Sequence, residues 1–503
     1  MSDQRYVIAL DQGTTSSRAV LFDSSLQILG MEQIHVNQSY PNEGWVEHDP
    51  IELRDGLFSV AQSLMKNNGL NASDIASIAI ANQRETAVVW EKSTGHPIYP
   101  AIVWQSRQTA EICEELRTFG LESSIRSKTG LTIDSYFSAP KWRFILDHVP
   151  NGQSRAENGE LLLGTVDSWI IWSLTNGANH LTDETNASRT MIWNIRTGAW
   201  DEELMKALNI PKIALPEVRS SGNDFGLTRK EIFGREIPIK AVAGDQQASL
   251  FGHGCNSVGE AKNTYGTGCF ILAFAGDNMP ENIHGILTSV GARNSWDTRS
   301  YVIEGSVFMA GAAIQWLRDE LNIIDSVNIA EQISSGLEDI GGVVVVPAFT
   351  GFGSPYWDED ARGAIFGLTR GSNRSHIIRA TLESIAQQSA DVIDAMGEAN
   401  FAVTQLRVDG GAAANNWLMQ QQANLLNLPV LRSTVLENTA RGVAALAALE
   451  SNLIDKWPVS SETVDQFVSE WTEDERFKSR AKWHRAVKST RVYGSSVGDY
   501  EGL

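Results

Sequence analysis

Apolar and polar positions alternate in short bursts near the start of the chain. Tyr6–Leu10 is an apolar run, Arg18–Phe22 is another, and Asp11-Gln12-Gly13-Thr14-Thr15-Ser16-Ser17 lies between them. The pattern predicts strand, tight turn, strand. Gly13 lets the backbone turn sharply and approach a ligand closely. The hydroxyls of Thr14, Thr15 and Ser16, with the N–H groups of the turn, can converge on an anion. Arg18 can add a cation for phosphate oxygens, and Asp11 stands at the mouth of the strand, placed for a metal ion or its bound water. An ordinary polar hairpin loop has the same pattern, so other segments decide the matter.

The period then changes. Asp49-Pro50 supplies an N-cap and a first-turn proline, and Leu53, Leu57, Val60, Ala61 and Leu64 fall on one face, which predicts a helix. A strand over Ile75–Ile80 runs into Asn82-Gln83-Arg84-Glu85-Thr86. Arg84 and Glu85 together offer donors and an acceptor, which suits a polyhydroxy ligand; the alternative is a solvated surface pair. Trp104 reads equally as pocket wall or core, and Tyr136 precedes an amphipathic helix, where its hydroxyl can meet a ligand or cap a loop. Leu161–Leu174, around Asp167, reads as structural, and Thr185–Thr190 as a polar loop before a strand. Residues 220–240 are loop-like; a strand over Ile237–Val242 then meets Gly244-Asp245-Gln246-Gln247. A carboxylate where a strand meets a helix is a good position for a general base, and Asp245 as a helix N-cap is the rival reading.

The second half repeats the plan in order, though not in residue identity. Asn263–Ala275 reads as a hairpin around Gly266-Thr267-Gly268, a helix follows from the Asn373 cap, and a strand over Leu406–Val408 leads into Asp409-Gly410-Gly411-Ala412. Gly341–Phe349 reads as a buried strand, and the tail Tyr493–Leu503 as mobile. The weak repeat predicts two α/β domains, residues 1–250 and 251–503, with a cleft between them.

Bulk properties narrow the class. The chain has 503 residues, 42% of them hydrophobic and 20% charged, and a formal net charge of −20, which argues against a nucleic-acid surface or an anionic membrane platform. Three cysteines without metal-ligand spacing, and a start without an apolar signal region, predict a cytoplasmic setting. No apolar run approaches the ~20 residues of a membrane span. The P-loop, Rossmann and protein-kinase motifs are absent, as are the common zinc patterns. Two Gly-Thr hairpins plus Asp409-Gly-Gly suggest a phosphate clamp built from two domains.

These motifs together resemble the FGGY carbohydrate kinases nearly end to end. They are ALDQGTTSSRA (9–19), NQRET (82–86), TNASRT (185–190), AGDQQ (243–247), KNTYGTGCF (262–270), FMAGAAIQWLRDE (308–320) and RVDGGAAANN (407–416). NQRET and TYGTGCF point to the branch that phosphorylates glycerol. The resemblance implies an α/β fold of two actin-like, ribonuclease-H-like domains flanking a nucleotide and substrate cleft. It implies ATP, with Thr14, Thr15, Ser16 and Arg18 near the phosphates, Thr267 and Gly311 approaching from the other domain, and Gln315, Gly411 and Asn415 further along. Glycerol would meet Arg84, Glu85, Tyr136, Asp245 and Gln246, with Trp104 and Phe270 as apolar walls; Asp245 would be the base, and Asp11 would position Mg²⁺ through water. The product would be sn-glycerol 3-phosphate, the first step of glycerol catabolism, and the family's dimers and tetramers imply a homo-oligomer. Phe144 stands where the family pattern has Trp. Glu236 stands where members inhibited by fructose 1,6-bisphosphate carry Arg, and residues 220–240 lack the His of members activated by phosphorylation, so neither control is implied. The competing readings are a kinase for another polyol or ketose, an actin-like ATPase that needs no alcohol, and a regulatory protein that binds without turnover.

Overall fold

The computed structural model describes residues 5–281, 283–337, 339–435, 437–457 and 464–494. Strands β1 (Tyr6–Gln12) and β2 (Ser16–Phe22) form the expected hairpin, with β3 (Ile28–His35) antiparallel beyond it. β4 (Ile75–Asn82) and β5 (Ile239–Gly244) add in parallel on the other side, giving the order β5-β4-β1-β2-β3. The second half repeats this order. β6 (Glu260–Tyr265) pairs antiparallel with β7 (Cys269–Gly276), β8 (Leu287–Val290) lies at the far edge, and β9 (Tyr301–Val307) joins β8 to β7. β10 (Gln405–Asp409) and β11 (Val430–Ser433) continue in parallel, and β12 (Val464–Phe467) closes the order β8-β9-β7-β6-β10-β11-β12. Three antiparallel strands followed by two parallel ones, twice over, is the ribonuclease-H-like arrangement.

One face of the first sheet is covered by α1 (Pro50–Asn67), capped by Asp49, whose carboxylate accepts from the Ile51 N–H. Leu53, Leu57, Val60, Ala61 and Leu64 of α1 pack on Ile8, Leu10, Ala19 and Leu21, as the 3.6-residue pattern requires. Helix α2 (Ser138–His148) was expected to be amphipathic, but Ser138–Leu146 is buried throughout, because the strand Leu161–Thr165 and the turn at Ala187–Thr190 enclose it. Helix α3 (Asp245–Gly252) follows β5.

In the second half, α4 (Gly311–Asp319), α5 (Arg374–Glu398) and α6 (Asn416–Leu426) pack on one face of the larger sheet. Helix α7 (Asn438–Glu450) does something the sequence order does not suggest. Its Ala440, Val443, Ala444 and Ala447 pack on Val7, Ala9, Ala79, Ala241 and Ala243 of the first sheet, completing a core begun more than four hundred residues earlier. It lies directly on α3: a Cβ at Gly442 would sit 1.9 Å from the Ala248 carbonyl, so only glycine fits. The last helix described, α8 (Glu473–Gly494), includes Tyr493; residues 495–503 of the tail lie outside the described residues.

Three smaller expectations are corrected. Thr185–Thr190 is not simply loop: Glu184–Ala187 is a buried helical turn capped by Asp183, which accepts from the N–H groups of Thr185 and Asn186. Only Val344–Val346 of the run Gly341–Phe349 is strand, since Gly341 and Gly342 take positive φ and Pro347 cannot donate to a ladder. Residues 220–240 hold a short helix, Lys230–Phe233, ended by left-handed Gly234.

Candidate active site

The turn after β4 is buried and built of charges. Arg84 and Glu85 are each 2% exposed, which removes the solvated-pair reading. Arg84 donates from Nη1 and Nη2 to the two carboxylate oxygens of Glu304 on β9, both at 2.7 Å, and from Nη1 to Gln247 Oε1 at 3.1 Å. Its stem lies on Gly244, where a Cβ would come within 2.6 Å. Glu85 takes φ +63°, a left-handed conformation that costs a side-chain residue about 1–2 kcal/mol. Arg189 offsets that cost by donating from Nε to Glu85 Oε1 at 2.5 Å. Arg189 also reaches Glu304 at 3.4 Å and lies over the Tyr136 and Phe137 rings. Burial opposes ionisation of Glu304, but Arg189 and Arg84 overcome it and hold the carboxyl at about 2. Burial pushes Glu85 up, against the pull of the two arginines, and raises the Tyr136 hydroxyl well above its ordinary value.

Asp245 opens α3 beside this cluster. The N-cap is Gly244, so the capping reading fails and the carboxylate is left for other work. It accepts from the Gln246 N–H at 2.8 Å and from Gln246 Nε2 at 3.0 Å, and lies 3.4 Å from Arg84 Nε. Its side chain is 28% exposed where its neighbours are sealed, so a ligand can reach it. Burial pushes its carboxyl above the ordinary carboxylate value, with Arg84 pulling back. Trp104 stacks edge-on against Tyr136 and Phe270, each 5.7 Å between ring centres, and donates from Nε1 to Thr14 Oγ1 at 2.9 Å. Arg84, Glu85, Tyr136, Trp104, Asp245 and Gln246 thus converge from four separate stretches of sequence.

The β1–β2 turn faces this cluster. The Gly13 N–H donates to the Ser16 carbonyl at 2.9 Å, and Gln83 Nε2 donates to the Gly13 carbonyl at 3.1 Å. Thr14 is half-buried, Thr15 exposed and Ser16 buried. Arg18 donates to Glu437, from just before α7, at 3.0 Å and lies 3.8 Å from Asp11. Burial pushes Asp11 up to about 7 against the pull of Arg18, a state a nearby cation would reverse. Among the described residues no three His, Cys, Asp or Glu side chains converge on one metal position. A single buried carboxylate fits a hydrated Mg²⁺ whose other ligands are substrate phosphates and water.

The second-half residues line one cavity of about 520 Å³, whose walls include Gly266, Thr267, Gly311, Gln315, Gly411 and Asn415. The Gly311 N–H donates to the Gly266 carbonyl at 3.0 Å, so the turn after β6 and the start of α4 are laced together. A Cβ at Gly311 would lie 2.6 Å from that carbonyl. Asn415 caps α6, accepting from the Leu418 N–H at 2.8 Å.

Sequence reasoning passed over the residues that hold the site together. Thr185 Oγ1 accepts from the Gly244 N–H at 2.8 Å, Asn186 and Asn82 each donate a side-chain N–H to the other's amide oxygen, and Arg189 holds Glu85, so the TNASRT segment supports the turns at Arg84-Glu85 and at Asp245. Glu304 was missed because it sits inside a buried strand. A lone carboxylate in the run Tyr301–Val307 was the available signal.

With this geometry in view, the comparisons are specific. Residues 6–252 match the family model for the N-terminal domain of the FGGY family of carbohydrate kinases, and residues 261–451 match that for its C-terminal domain. The chain is 51% identical over 492 residues to the glycerol kinase of Halorhodospira halophila, covering 96% of each. It superimposes with a TM-score of 0.89 on the glycerol kinase of Plasmodium falciparum solved with ADP, at 33% identity over 97% of this chain and 98% of that one. It shares its fold with the gluconate kinase of Lactobacillus acidophilus, TM-score 0.86 at 20% identity, over 99% of this chain and 100% of that one. The chain belongs to the FGGY family of carbohydrate kinases.

Proposed function

We propose that the chain transfers the terminal phosphoryl group of ATP to the 3-hydroxyl of glycerol, giving sn-glycerol 3-phosphate, the entry step of glycerol catabolism. The observation that carries this reading is Asp245: a partly exposed carboxylate with a raised pKa, held by Gln246 and Arg84 within a ring of alcohol-binding groups. Arg84 and Glu85 give and take hydrogen bonds with adjacent hydroxyls, and Trp104 and Phe270 cover the carbon chain. Arg84, Glu85 and Gln246 are buried, so an acceptor lacking a hydroxyl leaves partners unpaired and is rejected strongly.

Asp245 accepts the proton of the attacking hydroxyl. The transition state of phosphoryl transfer is loose, so the remaining residues position and neutralise rather than form bonds. The Gly13–Ser16 turn and Arg18 serve the phosphates from one side and the Gly266-Thr267 turn from the other, while the cavity at Gly311, Gln315, Gly411 and Asn415 takes the nucleoside. Asp11 would hold a hydrated Mg²⁺, which supplies charge neutralisation on the phosphates when bound. Water is excluded by closure of the halves, since it would compete as acceptor. A reducing, cytoplasmic site of action is supported by Cys113, Cys255 and Cys269, all unpaired and buried. The test is a coupled ADP-release assay with MgATP across glycerol, dihydroxyacetone, erythritol and xylulose. Glycerol should give the highest kcat/KM; ADP release indifferent to any alcohol would remove the reading.

A further inference from the structure

Lys262 is on β6, the strand that ends in the Gly266-Thr267 turn, and its side chain is fully buried. Its Nζ donates to Gln246 Oε1 across the junction of the two halves, and to Thr264 Oγ1 at 3.0 Å. An ammonium has donors and no acceptor, so the amide of Gln246 has one permitted orientation: its oxygen faces Lys262 and its NH2 faces Asp245. That NH2 is the group that donates to Asp245 Oδ2 at 3.0 Å.

We propose that Lys262 is a positioning residue for the transfer: by fixing the Gln246 amide it aims the Asp245 carboxylate, and it ties that carboxylate to the strand carrying the second-half phosphate turn. This rests on Asp245 being the proton acceptor of the reaction proposed above. Without Lys262 the amide is free to rotate and present its oxygen to a carboxylate oxygen, an arrangement that repels and displaces it. The charged groups acting on Asp245 are Arg84, Lys262 and Asp11; those acting on Lys262 are Asp409, Asp245, Arg84 and Glu304. Burial brings Lys262 down to about 8, against the pull of Asp409 and Asp245, so below that value it is an ammonium with donors only.

The experiment compares the wild-type chain with Lys262→Met, Lys262→Gln and Lys262→Arg. Methionine and glutamine should lower kcat/KM for glycerol roughly 10²-fold and leave the KM for ATP within about twofold. Both should move the acid limb of the pH profile upward by on the order of one unit, because a cation and an aimed hydrogen bond have been removed from the base. Arginine keeps a donor-only cation and should keep the limb in place. A second readout needs no acceptor alcohol: the carboxyl 13C titration of Asp245 should show the same upward shift in K262M or K262Q. If glycerol proves the wrong acceptor, this arm still decides. An unchanged limb and an unchanged 13C midpoint in whichever neutral variant folds, with only the melting temperature altered, would overturn the proposal, as would an equal shift in K262R.

Discussion

The two proposed substrate regions are built from opposite materials. On the proposed alcohol side, Arg84, Glu85, Arg189 and Glu304 are side chains with almost no exposure, each paired with an opposite charge. On the proposed nucleotide side, the cavity wall is mostly glycine, alanine and neutral polar groups, placed by backbone hydrogen bonds such as Gly311 to Gly266. A small neutral triol brings no charge and little area, so affinity for it comes from directional bonds to groups that cannot relax. A nucleotide carries its own charge and a large flat ring, so space and converging N–H groups suffice. Errors on the alcohol side should be costly and specific, whereas errors on the nucleotide side should be steric.

The comparison can be broken first at the base. Asp245→Asn should lower kcat by roughly 10²–10⁴-fold with nucleotide affinity retained, as measured by steady-state kinetics and ADP titration; near-normal turnover would remove Asp245 from its role. Next is the charge cluster. Glu304→Gln leaves Arg84 and Arg189 short of a counter-ion and should cost about 3–5 kcal/mol in urea unfolding at neutral pH. Glu304 is held at about 2, so its stabilisation is present above the ordinary carboxylate range and is lost as pH falls toward 2. The gap between variant and wild type should therefore close on acidification; a constant gap would show that packing, not charge, was lost. Third, Arg84→Ala and Gly311→Ala should separate the two substrates. The first should raise the glycerol KM by about 10²-fold and spare that for ATP. The second places a methyl group 2.6 Å from a carbonyl and should raise the ATP KM about tenfold while sparing glycerol. Equal effects on both substrates from either variant would blur the division. The smallest effect is on pH: the Asp245 carboxyl lies above the ordinary carboxylate range, so kcat/KM should rise with pH through a limb shifted upward.

What the sequence made legible was local. The Asp49-Pro50 start of α1, the apolar stripe behind it, and both Gly-Thr turns follow from neighbouring residues alone. The order of elements in the two halves was visible as well; the five strands of the first sheet recur in the second, which adds β8 and β12 at its edges. What stayed hidden was pairing across long separations. Nothing near Arg84 announces Glu304, and nothing near Gln246 announces Lys262; each partner lies in a strand of the other half, in register only once both sheets exist. The burial of Arg84 and Glu85 was equally unreadable, because Arg-Glu pairs are soluble by default and only a counter-charge on a distant strand makes their enclosure affordable.

Helix α7 has a consequence for how such a chain comes into being. The first sheet presents Val7, Ala9, Ala79 and Ala241 to a helix that ends at Glu450. During synthesis on a ribosome, much of that face of the sheet waits uncovered until α7, about nine-tenths of the way along the polypeptide, has been made. A fragment ending near the midpoint should therefore bind chaperones or precipitate, even though Asp245 and the Arg84-Glu85 turn are already present in it.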